Sequence, residues 1–220
     1  MLKKAFIFLF FIFNLLTAQD YIALATKSEG DVVWERGEEK TDLKTGSKLI
    51  NGDILVSKKD SYAAIKFIDG SSVVKLFANS NLRLNTNGED EHLNKYCFLE
   101  MGNLWTAVKQ KTGIFEIETP TTVVSVQGTE FVVNVIEEGV TLVHALKGQV
   151  AVKSKFNDEE IILPADKTAK VAANEELQVR KTREDDISDD IKQETAVKNI
   201  KIELENEAGE KKTIKIEYED

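Results

Sequence analysis

The residues that could carry acid–base or metal chemistry are few and scattered. The chain has two histidines, His92 and His144, and a single cysteine, Cys97. His92 lies in a polar loop and has no cysteine or second histidine at the spacing of zinc ligands. His144 lies between Val143 and Ala145 in an alternating strand, so we expect its side chain to point away from their shared face, as a solvated or hydrogen-bonded histidine. The sequence predicts no metal site and no cofactor.

Two glutamates are an example of a carboxylate pair with a spacing of interest. Glu116 and Glu118 stand at alternate positions of one strand, about 7 Å apart by strand rise, which is within reach of glycosidase geometry. The chain has 38 acidic residues, so such pairs arise by chance, and these two should face solvent opposite Phe115 and Ile117. No nucleophile elbow, Walker loop, dinucleotide fingerprint or metalloprotease motif occurs. We therefore expect a protein that is not an enzyme, with glycan hydrolysis as a minor alternative.

The two tryptophans are the candidate contacts for a ligand or partner. Trp34 and Trp105 could stack on a sugar ring or a protein surface, and core packing is the alternative for both. Trp105 directly follows Leu104, so the two side chains point to opposite faces of a strand. Because only one of those faces can belong to the main core, Trp105 is the better surface candidate. Cys97 lies in an apolar run and is expected to be a small buried residue.

The elements that position these residues are short strands. Between residues 21 and 179, apolar side chains recur at every second position between Gly, Asn and Asp turns, a pattern typical of an all-β domain. Asp69 and Gly70 predict a two-residue type I′ turn in a hairpin. Gly128 is expected to allow a tight passage between two strands, and Gly148 is expected to stand in the turn between the next two. Asp69, Gly70, Gly128 and Gly148 are therefore predicted to be structural turn residues.

A weak internal repeat runs through the same region. A glycine is followed two residues later by an apolar residue that starts a strand, as in Gly30 with Val32, Gly52 with Ile54, Gly102 with Leu104, and Gly148 with Val150. The intervals are irregular, so the pattern fits either an internal duplication or the ordinary glycine turns of an all-β protein.

The N-terminus has the order of a secretory signal peptide. Lys3 and Lys4 precede an apolar run that ends in Thr17 and Ala18, so we expect cleavage after residue 18. An uncleaved anchor is the alternative, but the run is shorter than the ~20 residues of a spanning helix. Loss of residues 1–18 leaves 27 basic against 38 acidic residues, a net charge of −11. This charge disfavours nucleic acid and anionic lipid, and we expect a periplasmic or secreted protein without stable membrane insertion.

The C-terminal part differs in composition from the domain. Residues 180–198 are acidic and almost free of aromatic residues, which predicts a solvated linker or a short exposed helix. Residues 199–220 alternate Ile and Leu with Lys and Glu on both sides of a turn, which predicts a β-hairpin with one apolar face. An isolated hairpin is marginal in water, so it should either dock on its own domain or add to the sheet of a partner.

Several motifs, in order, resemble the FecR domain. They are LINGDI at residues 49–54, FIDGSS at 67–72, TPTTVVSVQGTEF at 119–131 and LKGQVAV at 146–152, and the resemblance covers residues 21–171. It implies an all-β domain of rolled or solenoid-like sheet.

The best-known members of the family are transmembrane regulators of a sigma factor, with a cytoplasmic region before the membrane helix and a mixed α/β module at the end. This chain resembles neither flanking part. We therefore expect an exported, non-enzymatic binding or scaffolding module with an envelope protein or glycan as partner. The alternative is a signal-transduction component that acts through a separate membrane partner.

Overall fold

The computed structural model describes residues 20–88, 93–109 and 113–195, and the backbone of 198–205 and 211–218. The expected signal peptide and His92 lie outside the described residues. The described part holds 19 strands and one short α-helix, α1 (Asp189–Thr195). The predicted all-β class is therefore confirmed.

Nine strands form the first of two layers, which we call sheet A. All its pairs are antiparallel. In spatial order it contains β4 (Lys48–Ile50), β1 (Tyr21–Glu29), β6 (Tyr62–Phe67), β7 (Ser72–Leu76), the second half of β9 (Asn94–Val108), β12 (Glu130–Val135), β13 (Thr141–Lys147), β16 (Lys167–Val171) and β17 (Gln178–Lys181).

The second layer, sheet B, has the same number of strands and shares β9 with sheet A. In spatial order it contains β3 (Glu39–Asp42), β2 (Val32–Arg36), β5 (Ile54–Ser57), β8 (Ser80–Asn87), the first half of β9, β10 (Phe115–Glu118), β11 (Thr122–Val126), β14 (Gln149–Ser154) and β15 (Glu160–Pro164). The pair β9–β10 is parallel. The chain changes layer every one or two strands, so the sheet is rolled.

The main core lies between the two layers. Alternate residues of most strands point into it, and its members form one continuous cluster. Phe67 of sheet A and Phe115 of sheet B meet edge to face, with ring centroids 6.2 Å apart. Both rings are almost inaccessible to solvent. The period-2 pattern of the sequence thus corresponds to a single apolar interior.

The glycines of the internal repeat mark places where the chain passes between layers. Gly30, Gly52 and Gly148 each stand in a connection from sheet A to sheet B, and Gly102 stands where β9 leaves sheet B for sheet A. At Gly102 the backbone has φ 98°, and an added Cβ would lie 2.1 Å from Ser80 Oγ and 2.5 Å from Ser80 Cα. The repeat therefore reflects the geometry of the crossings.

Gly128 and Gly148 lie beside one another at two such crossings. Gly128 connects β11 of sheet B to β12 of sheet A, with φ 73°, and the expected tight passage is present. A Cβ on Gly148 would lie 2.8 Å from Thr129 Cγ2 and 3.1 Å from the Gly128 carbonyl oxygen. Two connections thus share one narrow space.

The turn between β6 and β7 differs from the type I′ turn predicted for Asp69 and Gly70. Four residues connect the strands, and Gly70 N donates to the Phe67 carbonyl oxygen at 2.9 Å. Gly70 has φ 64°, whereas Asp69 is not in the positive-φ region. The loop is a β-turn followed by a left-handed glycine, a common longer hairpin connection. Asp69 stays in an ordinary conformation because its carboxylate accepts from Ser71 N at 3.0 Å.

The C-terminal strands β18 (Lys198–Glu205) and β19 (Lys211–Tyr218) form a separate two-stranded antiparallel sheet. Ile200 stands opposite Ile216, and Ile202 opposite Ile214. Its backbone pairing is within the hairpin, as far as the described strands show. In the same described part, no helix is long and apolar enough to cross a membrane.

Candidate functional site

The outer face of sheet A, on the side away from the main core, carries a second set of buried residues. One row of this face crosses eight neighbouring strands in register. In spatial order its members are Lys27, Ala64, Lys75, Trp105, Val132, His144, Thr168 and Arg180. Tyr62, Ala64, Phe77, Trp105, Val132 and Ile191 form a small apolar cluster on it. The outer face is therefore a second, smaller interior.

The cover over this row is the C-terminal strap, which we define as residues 182–195. It includes a single 3₁₀ turn, Glu184–Asp186, and helix α1. At its start, the two terminal nitrogens of the Arg180 guanidinium donate to the carboxylate of Asp186. At its end, Lys27 Nζ donates to Glu194 Oε2 at 3.0 Å. The strap thus crosses sheet A from its last strand towards its first.

The strap is held by few contacts. Ile191 is its one fully buried side chain, at 3% exposure, and Ile187 packs beside the same cluster. Burial of Ile191 contributes roughly 1.5–3 kcal/mol, and a partly exposed ion pair such as Lys27–Glu194 about 0.2–1 kcal/mol. A seven-residue helix is too short to be stable alone. Its helical form therefore depends on docking.

Lys75 lies beneath the end of the strap. Its side chain is 3% exposed, and its ammonium donates to the Glu194 carbonyl oxygen at 2.6 Å. The same ammonium lies 5.0 Å from the centre of the Trp105 ring, within range of a cation–π contact. Val74 and Leu76 point into the main core, so Lys75 between them points to the outer face of sheet A. The strap encloses it there.

The structure corrects the surface position expected for Trp105. Trp105 does point away from the face of Leu104, as predicted, but it is only 5% exposed because the strap covers the face it reaches. Its Nε1 is buried and has no hydrogen-bond partner among the described residues. A buried unpaired N–H costs roughly 1–3 kcal/mol. The indole N–H of Trp105 therefore lacks the hydrogen bond that would offset the cost of its burial.

His144 also points away from the main core, as predicted, but it is buried and not solvated. Its Nδ1 lies 2.9 Å from Thr168 Oγ1, and that hydroxyl lies 2.9 Å from Thr182 Oγ1 at the start of the strap. Burial lowers the pKa of His144 to about 4. Its Nε2 is a second buried nitrogen without a partner in the described part of the chain. It lies two strands from Trp105, about 10 Å by strand spacing.

Beside the strap, a recess of about 350 Å³ remains open on the same face. Trp105 lines it together with Val73 and Ala107, and Lys66 and Lys109 are exposed at its rim. Neither lysine forms an ion pair with a described residue. The recess thus combines an aromatic wall with two exposed positive charges.

Trp34, the other candidate contact, lies on sheet B and is half-buried against the main core. The guanidinium of Arg36 stacks over its ring at 4.4 Å. Arg36 in turn donates to both oxygens of Asp53, at 2.9 and 2.8 Å, and the Asp53 carboxylate is fully buried. One face of Trp34 is therefore occupied, and the structure does not bring the two tryptophans together.

The remaining candidate residues, Glu116, Glu118 and Cys97, take part in contacts that belong to the structure of the domain. Glu116 Oε1 accepts from Ser125 Oγ at 2.7 Å, and Glu118 pairs with Lys155. Cys97 is buried between the sheets, and burial raises the pKa of its thiol to about 12. Across the described ranges, no group of three or more His, Cys, Asp or Glu side chains could hold a metal ion.

Two other depressions are shallow and more exposed. One, of about 590 Å³, is lined by Met101 and Ile136, which are each about half exposed. The other, of about 580 Å³ on sheet B, contains Ile114 and Ile162. Neither contains a buried polar atom without a partner. The outer face of sheet A is therefore the stronger candidate.

Sequence reasoning missed the strap as part of this site. The acidic composition of residues 180–198 indicated a solvated segment, and the predicted short helix is present but docked. Ile187 and Ile191 lie four residues apart in an otherwise polar stretch, which is the spacing of one helical face. That pair was the available signal.

Comparison with known structures finds proteins of similar fold. Crystal structures at 1.65 and 2.50 Å resolution of a "putative anti-sigma factor" from Parabacteroides distasonis ATCC 8503 are similar to this chain, with 20% identity and a TM-score of 0.50. The similar part covers 58% of this chain and 59% of the other, so this chain spans well under two thirds of that protein's length. A comparison with curated proteins finds no match.

The FecR protein family model matches residues 53–151. That range begins within the LINGDI motif and ends within the LKGQVAV motif, and it includes the shared strand β9 and Trp105. The resemblance expected from the motifs is thereby confirmed. Residues 53–151 are therefore the part of the chain that is similar to the FecR protein family.

Proposed function

We propose that this chain is an exported, non-enzymatic FecR-domain module that binds a protein or glycan partner in the cell envelope. The observation that carries the proposal is the recess on the outer face of sheet A. There the Trp105 side chain lies beside Lys66 and Lys109, which are exposed and form no ion pair with a described residue. Aromatic side chains at the centre of a contact surface, with charges at its rim, are typical of binding sites. The signal peptide expected for residues 1–18 is the basis for the compartment proposed, and the FecR match supports the class.

The test is partner capture from the native envelope with the full-length mature chain. We expect crosslinking to retain a partner or a glycan, and the double variant Lys66→Glu with Lys109→Glu to lose at least about tenfold of it, because charge reversal repels an acidic ligand. The matched control is Lys44→Glu with Lys59→Glu, which changes two exposed lysines outside the recess by the same charge. Equal capture by both variants, or turnover of a polysaccharide by the purified chain, would overturn the proposal.

A second candidate function is signal transduction through a separate membrane regulator or receptor. It is favoured by the FecR match and by the similarity in fold to the Parabacteroides distasonis protein. The hairpin β18–β19 supplies a means, because its outer edges are unpaired with any described strand and could add to a partner's sheet.

Deletion of residues 198–220 tests this second function. If the hairpin is an interaction element, the thermal midpoint should stay the same while capture of a membrane regulator is lost. A large fall in the midpoint would instead place the hairpin in the stability of the main domain. Crosslinking in the native membrane that captures no regulator or receptor would count against the signalling role.

A further inference from the structure

The C-terminal strap occupies the outer face of sheet A in the manner of a ligand. We propose that it is a displaceable self-ligand, and that the face beneath it binds an acidic amphipathic segment of a partner protein in its place. This inference rests on the proposed binding function and names the chemistry of its partner. It is argued from three features of the strap and the surface it covers.

The first feature is the unsatisfied chemistry under the strap. Three buried side-chain polar atoms in the described part of the chain lack a hydrogen-bond partner, and two of them, Trp105 Nε1 and His144 Nε2, lie in the single row that the strap crosses. Buried polar groups in a finished interior are almost always paired. A face that leaves two nitrogens unpaired under a short cover is better matched to another occupant.

The second feature is charge. The strap has six acidic and two basic residues, and the row it crosses presents Lys27, Lys75 and Arg180. The recess beside it adds Lys66 and Lys109, which the strap does not reach. The positively charged surface thus extends beyond the area that the acidic strap covers. A longer acidic segment could use the same three cations and the two at the rim.

The third feature is the apolar anchor. Ile191 is the one strap side chain that is fully buried in the aromatic cluster of Tyr62, Phe77 and Trp105, while Ile187 packs against that cluster and is partly buried. Aromatic residues in a covered pocket are the usual anchors of protein interfaces. An incoming segment therefore needs one branched apolar residue between its acidic groups, as the strap has.

The test uses the full-length mature chain with the strap released. Ile191→Asp removes the anchor, and the probe is a fluorescently labelled peptide of residues 182–195 measured by anisotropy. We expect the Ile191→Asp chain to bind the peptide at least tenfold more tightly than the wild-type chain, in which the tethered strap competes at a high effective concentration. A peptide in which Asp and Glu are replaced by Asn and Gln should bind at least tenfold more weakly to the released chain.

Three results would overturn the inference. The first is that the acidic peptide does not bind the released chain, and the second is that the acidic and neutralised peptides bind equally well. The third is that two copies of the wild-type chain exchange their straps, which would be seen as a dimer that Ile191→Asp abolishes. Protection of the Cys97 thiol in Ile191→Asp shows that the domain is folded. If the Ile191→Asp chain does not fold, the double variant Ile191→Ala with Glu194→Gln is used instead, because it weakens docking of the strap by a smaller amount.

The outcome is separable from that of the proposed function. If the wild-type and Ile191→Asp chains capture the partner equally and the peptide does not bind, the chain is still a binding module, but its site lies elsewhere. Loss of partner capture in the recess variants with normal peptide binding would support both.

Discussion

Glu194 in α1 and Lys27 in β1 are joined by an ion pair of 3.0 Å, which ties the last helix of the described domain to its first strand. The two residues are separated by 167 positions in the sequence. Burial alone would lower the pKa of the Lys27 ammonium, but Glu194 and Glu29 raise it above its ordinary value. The contact therefore remains charged at neutral pH.

A double-mutant cycle should measure the strength of this contact. We expect Lys27→Met and Glu194→Gln to show a coupling of about 0.2–1 kcal/mol in the free energy of unfolding, decreasing in 1 M salt because partly exposed charges are screened. The control pair is Lys58 and Asp31, 2.7 Å apart but 61% and 54% exposed, which should couple more weakly. A coupling that salt leaves unchanged would contradict this account.

His144 should make the protein sensitive to mild acid. Its pKa is about 4 in the folded protein because of burial, against an ordinary value of about 6.5 when unfolded. Below pH 6.5 the unfolded chain binds the proton and the folded chain does not, so stability should fall as the pH drops from 6.5 to 4, by an amount on the order of 3 kcal/mol. Denaturant unfolding between pH 4 and 7 measures this.

The variant His144→Asn is the control for that pH dependence. It retains His92, so the difference between the two proteins isolates His144. We expect its stability to vary less between pH 6.5 and 4 than that of the wild-type chain. Parallel pH profiles for both proteins would show that His144 is not the group responsible.

The buried pair Asp69–Lys95 should matter more than surface pairs. Both side chains are under 10% exposed, and Lys95 Nζ also donates to Ser71 Oγ at 2.8 Å and the Leu93 carbonyl oxygen at 2.7 Å. Asp69→Asn leaves the Lys95 charge buried without its counter-charge, so we expect a loss of about 3–5 kcal/mol. Asp31→Asn at the exposed pair with Lys58 should cost less than about 1 kcal/mol.

The same pair has a defined pH window. Burial would raise the pKa of the Asp69 carboxyl, but hydrogen bonds from Lys95 and Ser71 lower it below its ordinary value. Its stabilising contribution is therefore present above the ordinary carboxyl pKa of about 3.9 and is lost as the pH falls below it. Asp69→Asn should remove this part of the acid sensitivity. An unchanged acid profile would contradict the assignment.

Gly102 should tolerate substitution poorly. Gly102→Ala must place a methyl group 2.1 Å from Ser80 Oγ and 2.5 Å from Ser80 Cα, at a φ of 98°. We expect a loss of about 2–5 kcal/mol from strain and overpacking together. Gly52→Ala is the matched control, since it has φ 91° and no atom within 4 Å of an added Cβ, and it should cost about 1–3 kcal/mol. Equal losses would mean that the close approach to Ser80 contributes nothing.

The Cys97 thiol should report opening of the main core. Burial raises its pKa to about 12, and reagents react with the thiolate. We expect labelling of the native protein to be slow and to follow the free energy of unfolding. Release of the strap should not accelerate it, because Cys97 lies between the sheets and not on the outer face of sheet A. Fast labelling of an Ile191→Asp chain that keeps the circular-dichroism spectrum of the wild-type chain would contradict this division into two interiors.

Much of the domain could be predicted because alternation of apolar and polar residues shows directly that one face of a strand is buried. The strands around Phe67, Phe131 and Val143 follow the apolar pattern, and the resemblance of the motifs to the FecR domain agrees with the family match. The glycine repeat was visible, but the sequence does not show that its members mark crossings between layers. That fact depends on long-range pairing.

The candidate site was harder to predict because it depends on a contact between distant segments. Periodicity correctly placed Trp105 and His144 on the face opposite the main core. It could not show that residues 182–195 return across that face, since acidic composition favours solvation and only Ile187 and Ile191 indicate otherwise. The turn at Asp69 was predicted with the wrong type because the loop has four residues where the Asp–Gly pair suggested two.

The shared strand β9 has a consequence for how this domain can fold and be divided. Residues 94–101 of β9 complete sheet B, and residues 102–108 complete sheet A. Each layer therefore lacks its central strand until the other is in place. We expect the two layers to melt together in a single cooperative transition. A chain cut at Gly102 should yield two fragments that are unfolded apart and recover native structure only when mixed.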